Sequence, residues 1–191
     1  MEGLKMTTIT DRFMKAGIPR SCWGLKCEET GRGAINTWAA ALKEKAAERG
    51  ALLSAYVLMP ADTDRKESDR FAAGQEYVEL LARQAVVKDQ SVCLVPFYKL
   101  LHTLENPART QDDEDYESVV SVLVVPYVPT PEQATCTPYQ YALVIDHLLS
   151  HIYEGGALVI GGSQSISKRL QSRYPAALER MLVENSEMFG V

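Results

Sequence analysis

No apolar run in this chain approaches the ~18 residues that a membrane-crossing helix needs. The opening Met1-Glu2-Gly3-Leu4-Lys5 has none of the apolar stretch that starts a secretory leader. Both absences argue against a membrane-bound or exported protein, and a cytoplasmic one is expected. Cysteine is scarce. The four present, Cys22, Cys27, Cys93 and Cys136, have no framework spacing, and Cys93 lies within an apolar run, so reduced thiols are expected. A surplus of positive charge is lacking as well. Twenty Lys and Arg against 25 Asp and Glu leave a net charge of −5, which excludes a protein that coats nucleic acid non-specifically, although a local basic patch is compatible with it. There is no internal repeat, no low-complexity tract and no linker, so residues 1–191 read as a single domain.

Metal-binding spacing is also missing. Cys22-x4-Cys27 and His147-x3-His151 offer four zinc-type ligands, but more than a hundred positions separate the pairs. Zinc fingers hold theirs far closer. No metal and no cofactor are expected.

What the chain does contain is ordinary globular material, 46% apolar and 24% charged, organised around one stretch. Val119-Val120-Ser121-Val122-Leu123-Val124-Val125 is the most continuously apolar run, mostly β-branched, and predicts a strand buried on both faces at the centre of a sheet. In nucleotide-hydrolysing α/β proteins such a strand ends in carboxylates that hold Mg²⁺ and polarise water. This one is followed by Pro126 and Tyr127.

Around that strand the pattern alternates. A short helix is predicted over 10–16, capped by Thr10 or Asp11 and stopped by Gly17. A second covers 34–49, with Ile35, Trp38, Ala39, Leu42 and Ala46 at three- and four-residue steps and Gly50 beyond it. A strand over 51–59 leads through the loop 60–68 to a long helix begun by Ser68 or Asp69. Ser91–Val95 is the next strand and Phe97–Leu104 the next helix. The acidic segment 105–117, centred on Asp112-Asp113-Glu114-Asp115, reads as a solvated loop. After the central strand, Thr137 and Pro138 open a helix to Tyr153. Ala157–Ile160 is a strand, Gly161–Gln164 a turn, and Ser165 caps a short helix carrying Lys168, Arg169 and Arg173. Pro175 opens a last helix to Glu184. Four strand-to-helix alternations predict an α/β domain: three layers, with a mostly parallel sheet covered by helices on both faces.

The order of parts resembles a known family. Phe13-Met14-Lys15-Ala16-Gly17-Ile18-Pro19-Arg20, then a helix ending in Glu48-Arg49-Gly50, then an apolar strand, resembles the bacterial replicative-helicase loader and transposon-helper branch of the AAA+ ATPases, from about Thr10 to the C-terminus. The resemblance implies a P-loop core, with residues 1–33 as a lead-in segment and without the separate helicase-binding module that loaders carry. It also implies where nucleotide chemistry should sit. A phosphate loop needs G-x4-G-K-[ST]; the matching slot runs from Pro60 to Glu67. There Lys66 matches the lysine, Pro60 and Arg65 replace the glycines, and Glu67 replaces the hydroxyl. Pro126 and Tyr127 stand where the Mg²⁺-binding and water-activating acids belong, and Gly161-Gly162-Ser163 where a polar sensor belongs.

Three altered sites lead to the expectation of a catalytically inactive AAA+-like binding or scaffold protein in DNA replication or recombination, with a phage or other mobile element as the expected setting. Its expected partners are a helicase, a helicase loader or single-stranded DNA, and self-assembly is compatible with the sequence. Arg180 lies near where the family places an arginine that reaches a neighbouring subunit's nucleotide, and Lys168, Arg169 and Arg173 could touch a phosphate backbone. On an amphipathic helix, each of these four also reads as an ordinary solvated cation. Trp23 reads as core packing or partner contact. The alternatives are a divergent NTPase that binds nucleotide through Lys66 and Arg65 and recruits Asp62, Asp64 or Glu67 to Mg²⁺, and an inhibitor or decoy of such a loader.

Overall fold

The computed structural model describes residues 8–24, 33–49, 53–59, 68–106, 120–163 and 175–190. In chain order the elements are α1 (Ile9–Lys15), a 3-10 turn (Arg20–Cys22), α2 (Gly33–Arg49), β1 (Ser54–Met59), α3 (Ser68–Val87), β2 (Val92–Leu94), α4 (Phe97–Glu105), β3 (Val122–Val128), α5 (Pro138–Tyr153), β4 (Ala157–Ser163), α6 (Ala176–Asn185) and β5 (Ser186–Gly190). The five strands form one sheet in the order β2-β3-β4-β1-β5, and every pair is parallel. The chain therefore leaves β1 for the far edge, returns through β3 and β4, and passes over β1 to finish at β5.

A parallel sheet must be covered on both faces, and the strand residues divide by period two to allow it. Ala55, Val57 and Met59 of β1, with Val122 and Val124 of β3, pack beneath α1, α2 and α3 through Phe13, Ile35, Trp38, Leu42, Val78 and Leu81. Tyr56, Leu123, Val125, Leu158 and Ile160 face the other way, onto Leu100 of α4, Val144 and Leu148 of α5, and Leu178 and Leu182 of α6. Each fully buried Leu, Ile or Val side chain stabilises the fold by about 2 kcal/mol. The three-layer α/β expectation holds.

Local chemistry sets the helix starts. Thr137 accepts from the Gln140 amide (3.2 Å) and Gln140 Oε1 accepts from the Thr137 amide (2.8 Å), a reciprocal capping box with Pro138 in the first turn. The first helix starts earlier than expected. Thr8, not Thr10 or Asp11, is its cap, and Asp11 closes the box from the third position.

Three further readings need correction. The valine-rich strand is interior but second from the edge, and β4 occupies the centre. It also runs on through Pro126 and Tyr127 to Val128, with a register shift against β4 between Val125 and Val128. Proline is tolerated there because β2 pairs no further than Val124, so no ladder bond on that side is lost. Gly161, Gly162 and Ser163 are not a turn; they continue β4, opposite Val57, Leu58 and Met59 of β1. Finally, β5 follows α6 without an intervening loop and pairs with β1, an element the sequence pattern does not announce.

Candidate functional site

In open parallel sheets, ligands meet the chain at the carboxyl ends of the strands. Here those ends bring together Met59 of β1, Pro126 and Tyr127 of β3, and Gly161 to Ser163 of β4. Met59 is fully buried and is held between two glycines. A Cβ placed on Gly74 of α3 would lie 2.7 Å from Met59 Cγ, and one on Gly161 would overlap Met59 Cε and the Pro126 carbonyl oxygen. Both glycines leave the room the thioether occupies. Beside it, the Tyr127 ring meets Phe71, from the first turn of α3, edge to face with centroids 5.0 Å apart. The Tyr127 hydroxyl donates to Gln133 Oε1 at 3.0 Å. The described ends of β1, β3 and β4 are thus lined by thioether, aromatic ring, proline and glycine.

Adjoining this packed corner is an open groove of about 720 Å³ beyond the ends of β2 and β3. Four prolines border it, Pro19, Pro96, Pro126 and Pro129, together with Phe97, Tyr98 and Tyr127. Its polar groups are Gln75 and Glu79 of α3 and Gln133 of the loop after β3. Glu79 is half-buried and accepts a hydrogen bond from the Cys22 thiol at 3.3 Å. Burial raises its carboxyl above the usual carboxylate range; the Cys22 bond opposes the shift and Glu76 adds to it. The same burial, with the Glu79 contact, pushes the Cys22 thiol up to about 11.

The lead-in segment forms one wall of the groove. Gly17 adopts φ 74°, and a Cβ there would lie 3.0 Å from the Leu94 carbonyl oxygen, so glycine lets the chain pass close to β2. Leu94 donates its amide to the Ala16 carbonyl at 2.9 Å, which ties the segment to β2. Trp23 is a packing residue: its ring lies 6.1 Å from Phe13 and its indole donates to the Ile18 carbonyl at 2.9 Å.

The other sequence candidates distribute as follows. Pro60, Arg65, Lys66 and Glu67 lie outside the described residues, as do Lys168, Arg169, Arg173 and the acidic loop over 107–117. Arg180 is exposed on α6, where its Nε donates to Glu184 Oε1 at 3.1 Å one turn on. Cys22 packs on the α3 side of the sheet, whereas His151 lies on α5, on the opposite side, so the sheet separates these zinc-type ligands. Among the described residues no three His, Cys, Asp or Glu side chains gather as a metal site, and no helix is long and apolar enough to cross a membrane. Residue-type patterns missed the groove, since its four prolines come from three separate segments that only the fold assembles.

Ten chains among the solved structures match this one. One is AMPPCP-bound DnaA from Aquifex aeolicus, with a TM-score of 0.50 at 8% sequence identity; the match covers 80% of this chain and 44% of that one. The likeness is one of fold, and this chain spans less than half the length of the DnaA chain. No protein-family model matches the chain, and no curated protein does.

Proposed function

We propose that this chain is a non-hydrolysing AAA+-type domain, akin in layout to the bacterial replicative-helicase loaders, that acts in DNA replication or recombination by binding rather than by turnover. Its partner on this reading is a helicase, a helicase loader or single-stranded DNA. The observation that carries the proposal is the packed corner at the ends of β1, β3 and β4. Phosphoryl transfer requires a carboxylate-held Mg²⁺ and an oriented water beside the γ-phosphate. Proline and tyrosine stand at the end of β3, and the Tyr127 ring is committed to Phe71 and its hydroxyl to Gln133. A carboxylate there would have to displace a packed ring. In the phosphate-loop slot, Pro60 removes an amide donor, and Asp62, Asp64 and Glu67 repel a triphosphate. The DnaA likeness supports the architecture, and the nucleotide analogue in that structure belongs to DnaA.

The reading is tested by fluorescence anisotropy of labelled oligothymidine in low salt, alongside sedimentation of the protein with the replicative helicase of its source. Retention of either partner without phosphate release supports the proposal. Failure to bind either one would count decisively against it.

A further inference from the structure

The groove beyond β2 and β3 has a charge imbalance that the packing does not resolve. Among the described residues that line it, Glu79 is the only charged group. Its hydrogen-bond partner among the described residues is a neutral thiol, that of Cys22. Arg83, one turn along α3, directs its Nε to the Trp23 carbonyl at 3.2 Å and a terminal nitrogen to Gln84 Oε1 at 3.4 Å, so it forms no bond with the carboxylate. The four prolines supply no backbone N–H donors, and with Glu79 as the charged lining group the groove is unsuited to phosphate. Aromatic rings border the same space, and a guanidinium both stacks on such rings and pairs with a carboxylate.

We propose that this groove is a docking site for an arginine side chain on a partner protein, held by Glu79 and flanked by Tyr98 and Tyr127. The partner's guanidinium supplies the positive charge that the groove lacks, while the Gln75 amide offers a carbonyl acceptor to a remaining N–H group; the Gln133 carbonyl is already engaged by the Tyr127 hydroxyl and the Thr130 amide. Burial that already disfavours an unpaired Glu79 carboxylate strengthens its attraction to a cation. The cost of holding this acid half-buried is then offset in the complex.

The inference rests on the reading of the domain as a binding protein, and its test separates the two. Nuclear magnetic resonance would follow the Gln75 and Gln133 side-chain amides of the whole chain during titration with acetyl-Gly-Arg-Gly amide. The control, acetyl-Gly-citrulline-Gly amide, keeps the planar head and loses the charge. The docking site predicts saturable shifts at both glutamines with the arginine peptide. Binding should be weakened about tenfold or more by citrulline or by Glu79→Gln, and reduced by Tyr98→Ala. The Glu79→Gln variant retains the fold, since the amide keeps the shape and sheds the half-buried charge. No saturable shift, or equal binding of both peptides, would overturn the docking site and leave the non-hydrolysing reading standing. Stabilisation by nucleotide would overturn that reading and leave the groove titration unchanged.

Discussion

Replacing Gly161 by alanine tests whether the strand ends are packed as described. The added methyl would occupy space held by Met59 Cε and the Pro126 carbonyl oxygen. Met59 has little room to retreat, being fully buried and bounded on its other side by Gly74, where a Cβ would lie 2.7 Å from Met59 Cγ. Pro126 is backbone inside β3 and can give way only by shifting the strand. Overpacking of this kind costs about 1–3 kcal/mol, and a rigid carbonyl on one side places Gly161→Ala in the upper half of that range. Met59→Ala costs about 2–5 kcal/mol through lost burial and a cavity. Combined, the new methyl moves into space that the thioether has left. The double variant should therefore be more stable than the summed single costs require, by about 1 kcal/mol or more. Urea unfolding with matched slopes measures all three, and Gly33→Ala serves as control because a Cβ there meets nothing within 4 Å. A Gly161→Ala cost below about 0.5 kcal/mol, or strict additivity with Met59→Ala, would refute the packed corner.

Three further outcomes follow from the same geometry. Thr137→Ala removes half of the α5 capping box and should cost about 1 kcal/mol in urea unfolding, with Thr137→Ser restoring most of it. Burial raises the Cys22 thiol from 9.0 to about 11, so on raising the pH the unfolded thiol ionises first; stability should fall between those values, and Cys22→Ala should flatten that part of the pH–stability curve. Burial lowers the His151 imidazole below 6.5. As pH falls through that value the unfolded state takes up the proton first, so stability drops, and a proton-resonance titration of the His151 ring should give a midpoint below 6.5.

How much of this was legible in the sequence depended on whether the signal was local. The continuous apolar run of β3, the three- and four-residue steps of α2 and the Thr137-Pro138 start of α5 are local, and they led to the right layers. Strand order is not local, so the valine-rich strand was placed at the centre, a position that β4 holds. Proline at 126 read as a terminator because a central strand would have forbidden it. It is admitted because β2 is too short to need its missing N–H. Gly161 and Gly162 read as a turn from composition, whereas close approach by Met59 and Pro126 is what requires glycine at 161. The strand Ser186–Gly190 has no β-branched run, and its pairing with β1 supplies what propensity does not. The candidate site divides likewise: Pro126 and Tyr127 were visible in the sequence, but the Phe71 contact and the Glu79 groove exist only in three dimensions.

The most direct test of the central claim is thermal unfolding of the purified chain with and without millimolar ATP–Mg²⁺, paired with a phosphate-release assay. Ligand binding to the folded state must raise the unfolding temperature. The account predicts no shift and no turnover. A rise of several degrees, or steady phosphate release, would contradict it and make this chain a nucleotide-dependent enzyme or switch.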